Sequence, residues 1–151
     1  MTLVVVDVEF VEQDIVKELG VYIDGHVLGY SFKPPKEYKP SKQALWCTQN
    51  LHQIAWDSGS LSYKTIPGIL KVVTTHKATF LAKGTEKCKI IAKLMGVHVE
   101  NLEDYGCPKI EQLEMSTDEC SNYPIQHKHC LHCAERKVKT FGDWARIHVK
   151  V

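Results

Sequence analysis

The stretch TLVVVDVEF, residues 2–10, decides the fold. A continuous apolar run of this length, with no alternation of polar and apolar positions, reads as a strand buried at the centre of a sheet. Two acids interrupt it. Asp7 and Glu9, flanked by Val5, Val6, Val8 and Phe10, need a partner or a metal if they are buried. The run is too short to span a bilayer and carries charge, so no membrane association is expected. It has neither a basic leader nor a small-residue cleavage site, so it does not read as a secretory signal. An intracellular setting, cytoplasm or nucleus, is the expectation, and with it thiols or metal ligands rather than disulfides.

Working outward, IVKELGVYI (Ile15–Ile23) followed by Asp24-Gly25 reads as a strand and tight turn, with His26–Phe32 as its hairpin partner. Pro34, Pro35 and Pro40 force an extended loop. A helix-compatible stretch, SKQALWCTQNLHQIAW, starts at Ser41, and a second helix starts near Pro67, a residue tolerated in a first turn. Thr79–Ala82 is a short strand. After Gly84, a helix beginning at Thr85 places Cys88, Ile91, Ala92 and Met95 on one stripe. Gly96 ends that helix, and Val97–Val99 is a further strand. Leu102–Leu113 reads as loop then helix, interrupted by Pro108, and Ala134–Ile147 is the last helix. Three early antiparallel strands followed by alternating units predict an α/β fold, a mixed sheet flanked by helices.

The 151 residues predict a single domain over 1–151, large enough to bury a core without staples. Hydrophobic residues make up 44% and charged residues 25%, ordinary for a globular chain. A net charge of +1 supplies no global basic field, so nucleic-acid binding would need a local patch. The final segment offers one: Arg136 and Lys137, with Lys139, Arg146 and Lys150, interleave with Phe141 and Trp144, a mix suited to phosphate contacts and base stacking.

Just ahead of that segment, CSNYPIQHKHCLHC (Cys120–Cys133) packs three cysteines and three histidines into fourteen residues. Thiolate and imidazole are the ligands Zn²⁺ prefers, and a structural site needs four of them. The expectation is one structural Zn²⁺ in a segment at about 107–133, its ligands drawn from Cys107, Cys120, His127, His129, Cys130 and Cys133. Cys47 and Cys88 sit in apolar helical company and read as core.

The Asp-x-Glu pair in VVDVEF, the glycine in ELGVYIDG, the YSFKPP strand end and the step at FLAKGTEKC follow one another in an order that resembles the DnaQ-type (DEDDh) 3′–5′ exonucleases. The resemblance implies a ribonuclease-H-like fold. It also implies catalysis by Mg²⁺ or Mn²⁺, with Asp7 and Glu9 as ligands and His132 or His129 as general base. Its second acid falls near Glu86, the closest carboxylate, which is flanked by Lys83 and Lys87. Its last motif, a histidine followed five positions later by an aspartate, meets no acid here. From His127, His129 and His132 the fifth position holds His132, Ala134 and Lys137. Two-metal hydrolysis needs carboxylates to hold two ions roughly 3.5–4 Å apart, so the pattern implies a degenerate site. The segment from Cys120 through His127 to Cys133 is also similar to the Maelstrom domain, a DnaQ-type variant that lost its acids and gained a zinc site.

Three functions remain open on these grounds. One is a non-catalytic exonuclease-fold binder of RNA or single-stranded DNA, stabilised by zinc. Another is a weakly active metal-dependent nuclease using Asp7, Glu9, Glu86 and His132. The third is a module acting through protein partners alone.

Overall fold

The computed structural model describes residues 2–12, 15–50, 56–75, 77–113 and 133–150. Its centre is the strand read first from the sequence. β1 (Thr2–Glu12) pairs antiparallel with β2 (Ile15–Ile23), which pairs antiparallel with β3 (His26–Ser31). On its other side β1 pairs parallel with β4 (Ala78–Ala82), which pairs parallel with β5 (Val99–Asn101). The sheet order is therefore β3-β2-β1-β4-β5, mixed, with β1 in the middle. The β2–β3 hairpin closes through Asp24-Gly25, both at positive φ (48° and 87°), the conformation that favours such residues in tight hairpin turns.

Helices cover both faces of the sheet. α1 spans Lys42–Asn50, α2 Ile66–Thr74, α3 Thr85–Met95 and α4 Ala134–His148. Successive side chains of a strand point to opposite faces, and β1 sorts accordingly. Val4, Val6 and Val8 pack with Ile66, Leu70 and Val73 of α2 and with Cys88, Ile91 and Met95 of α3. Leu3 and Val5 pack instead with Val138, Phe141 and Ala145 of α4. The stripe expected on α3 is the one buried. Gly96 ends that helix in the left-handed conformation, φ 69°, a common glycine C-terminus.

α4 lies very close to the sheet because two residues lack a Cβ. A methyl group at Gly20 would collide with the Ala134 carbonyl, and one at Gly142 with the Tyr22 ring. Leu102–Leu113 departs from expectation: it forms two short 3₁₀ turns, Leu102–Tyr105 and Ile110–Gln112, in place of a loop and helix. Gly106, at φ 85°, closes the first turn, and Pro108 bars a helix from running across the gap. No helix among the described residues is long and apolar enough to cross a membrane.

Candidate functional site

The acid pair sits where the sheet changes character. β4 runs beside β1 only as far as the Val5–Leu81 pair, then leaves through Lys83 and Gly84 into α3. Beyond that point β1 has β2 on one side and an opening on the other. Clefts past the carboxyl ends of parallel strands, where neighbouring connections diverge, are the usual ligand sites of α/β sheets.

Asp7 and Glu9, two residues apart on β1, share the α4 face with Leu3 and Val5. Opposite them on β2 stand Gly20 and Glu18. Three buried acids, Asp7, Glu9 and Glu18, thus face one helix. Glu18 accepts a hydrogen bond from the Ala134 backbone N–H at 3.2 Å, satisfying one of the unpaired donors at the start of α4. Gly20 makes this possible by letting that helix start approach β2.

Two lysines answer the other two acids. Lys137, one turn before the buried Phe141 on α4, donates to Glu9 Oε1 at 2.7 Å and stands 3.8 Å from Asp7 Oδ2. Lys87, one turn before Ile91 on α3, donates to Asp7 Oδ1 at 3.1 Å and to the Val8 carbonyl. Side-chain exposure is 6% for Asp7, 11% for Glu9, 14% for Lys137 and 27% for Lys87, so the carboxylates lie beneath the ammonium groups. Burial works against the Lys137 ammonium, but Asp7 and Glu9, with Glu18, outweigh it and hold its pKa above the usual lysine range. Burial also pushes the Glu9 carboxyl up, against the opposing pull of Lys137 and Lys87.

This arrangement does not fit a pair of divalent ions. The oxygens that would coordinate them already face two ammonium charges at 2.7–3.8 Å. A further cation bound to the same oxygens would sit within a few ångströms of both. Glu86, expected as a third acid, is exposed in the first turn of α3, where the helix dipole favours a negative charge. The side chain that reaches β1 from this turn is its neighbour, Lys87. Of the nucleic-acid candidates, Lys137 is drawn into the acid cluster, while Arg136 is half-buried beside it.

Most of the expected zinc ligands, Cys120, His127, His129 and Cys130, lie outside the described residues, as does the candidate base His132. Cys107 and Cys133 are described, and both are buried. Cys133 immediately precedes α4, and Cys107 packs in the cluster beneath that helix with Leu102 and Val138. Burial pushes the Cys107 thiol up to about 11. Among the described residues no group of three or more His, Cys, Asp or Glu side chains is placed to hold a metal ion.

No family model matches the chain, and no curated protein does. Solved structures do. The chain is similar to E. coli exonuclease I bound to a dT13 oligonucleotide, with a TM-score of 0.55, 14% identity, and coverage of 98% of this chain and 41% of that one. The dA16 complex of the same enzyme gives 0.54 at 14% identity, with 98% and 41% coverage. The exonuclease I of Methylocaldum szegediense gives 0.52 at 14% identity, again with 98% and 41% coverage. The fold is exonuclease-like, of the ribonuclease-H-like class. This chain spans about two fifths of the length of those enzymes, and at such identity the likeness concerns the fold alone.

Two site residues had weak signals in the sequence. Glu18 and its neighbour Lys17 are charges inside an otherwise apolar strand, which marks buried polar groups. Lys87 stands in KGTEK, where the lysines read most simply as a solvated helix start.

Proposed function

We propose that this chain is an exonuclease-fold module that binds nucleic acid and has given up two-metal hydrolysis. The observation that carries the reading is the pair of lysines on the acid pair. In the DnaQ-type pattern that the sequence resembles, the last motif places an aspartate five positions after a histidine. Lys137 stands five positions after His132, and Lys137 is the α4 side chain that meets Asp7 and Glu9. At the second acid's place, Lys87 reaches Asp7. Where that pattern has carboxylates gathering cations, this chain supplies the cations itself. The dT13 and dA16 oligonucleotides held by E. coli exonuclease I in its solved complexes support nucleic acid as the ligand class.

The deciding experiment incubates the purified protein with end-labelled single-stranded DNA and RNA in Mg²⁺ or Mn²⁺. Binding is measured in parallel at two salt concentrations. The expected result is intact strands and salt-sensitive binding, since phosphate contacts weaken as salt rises. Processive digestion would overturn the reading. Digestion that disappears in the Asp7→Ala/Glu9→Ala double variant would favour the weakly active nuclease, with His132 as base.

A structural Zn²⁺ belongs to the same proposal, its ligands drawn from Cys107, Cys120, His127, His129, Cys130 and Cys133. The ligand density of residues 120–133 supports it, as does their place directly before α4. Near-stoichiometric zinc in protein purified without chelator, and a lower melting temperature after chelation, are the expected results. Zinc below about a tenth of an equivalent would remove it from the proposal.

A further inference from the structure

Above the buried acids lies a cleft of about 400 Å³, within the size range of small-ligand sites. Four lysines from four separate elements line it. Lys83 comes from the β4–α3 step, Lys87 from α3, Lys109 from ahead of the second 3₁₀ turn and Lys137 from α4, with Phe141 as an apolar wall. Asp7 forms its floor and Glu111 part of its rim.

An ammonium group carries three donors. Lys137 donates to Glu9, and Lys83 donates to Glu103 at 3.0 Å. Lys87 spends two donors, on Asp7 and the Val8 carbonyl. Each retains at least one donor beyond these bonds. Asp7 and Glu9 are more deeply buried than Lys87 and Lys137, so these two ammonium groups stand between the acids and the cleft. Bound cations occupy that same position when they bridge acidic side chains to a phosphoryl oxygen.

We propose that this cleft holds a phosphate monoester through direct ammonium contacts, with no divalent ion. The inference rests on the non-hydrolytic reading above and specifies its ligand chemistry. Asp7, Glu9, Glu103 and Glu111 balance the four lysines in formal charge. Placement of donors, rather than excess charge, therefore supplies the affinity, and binding will be modest and salt-sensitive. The ester has two chemical sources, the phosphorylated end of a strand and a free mononucleotide.

The test uses the whole chain in EDTA. Fluorescence anisotropy compares short single strands of one sequence ending in a 3′-phosphate, a 5′-phosphate or hydroxyls only, with thymidine monophosphate as competitor. A phosphorylated end should bind about threefold to tenfold tighter than the hydroxyl-ended strand, the scale of one or two charged hydrogen bonds partly exposed to solvent. The preference should vanish in K83Q/K109Q, a variant that leaves the buried pairs with Asp7 and Glu9 intact. Competition by the mononucleotide would assign the site to free nucleotides, and its failure to compete would assign it to strand ends. Equal binding of all strands, or a preference surviving K83Q/K109Q, overturns the inference and leaves the non-hydrolytic reading standing. A preference appearing only when Mg²⁺ is added overturns it too. Digestion of the strands on adding Mg²⁺ defeats the underlying reading instead.

Discussion

The two faces of β1 are built from alternate residues of one strand, yet they follow opposite rules. Val4, Val6 and Val8 belong to a buried cluster with apolar residues of α2 and α3. On the other face, Leu3 and Val5 begin an apolar core that gives way, within two residues, to Asp7 and Glu9 beneath α4. Burial of apolar area dominates the first face. The second also needs every buried charge matched by another, so its stability depends on particular partners rather than on area removed from water.

Val6→Asp should break the contrast most sharply, because it places a charge with no partner in the dry face. The expected result is loss of cooperative unfolding, read by circular dichroism, since an unpaired buried charge exceeds the whole stability of many small domains. A folded Val6→Asp variant with a near-native melting temperature would show that this face admits water.

Lys137→Met tests the charged face. Removing one member of a buried ion pair typically costs about 3–5 kcal/mol, and chemical denaturation should show a loss of that order. Adding Glu9→Gln to Lys137→Met should recover part of it, because the stranded carboxylate is then gone. Strictly additive losses in this double-mutant cycle would mean the two side chains do not act as a pair.

A smaller effect separates two buried lysines by pH. Lys137, raised above 10.5 by its acids, contributes stability that is fully present below that pH and is lost as pH climbs through its higher folded value. Lys17 is the reverse case. It donates to the carbonyls of Phe32, Trp56 and Ser58, and burial pushes it down to about 8, with Asp57 and Glu18 pulling the other way. Between about 8 and 10.5 the unfolded chain binds more protons there, so stability through Lys17 rises with pH. Urea midpoints measured from pH 7 to 10 should therefore show wild type gaining stability relative to Lys17→Met as pH rises. The gap to Glu9→Gln/Lys137→Met should stay level over the same range.

The smallest expected effect is none. Glu86→Ala, on the exposed start of α3, should leave both melting temperature and oligonucleotide binding unchanged. A measurable loss of binding would return Glu86 to the site.

Periodicity and punctuation made the fold legible. The unbroken apolar run placed β1 at the centre, Asp24-Gly25 marked the hairpin, and the Cys88–Ile91–Met95 stripe marked the buried side of α3. These are local signals, in which each residue's environment repeats with the period of its own element. The Leu102–Leu113 segment was misread because its two 3₁₀ turns are too short to carry any period.

The acid pair could be read from the sequence, but its partners could not. Lys87 lies 80 positions from Asp7 and Lys137 128 positions from Glu9, and nothing in the intervening residues encodes that distance. The sequence alone established the central strand and its two awkward acids. Only the tertiary structure showed that Lys137 is the α4 side chain that meets Asp7 and Glu9, because only the packed sheet determines which turn of α4 lies over β1. That packing depends on Gly20 letting the helix start approach β2. A buried charge is settled by what the fold brings beside it, and that is a property of the assembled chain rather than of any segment.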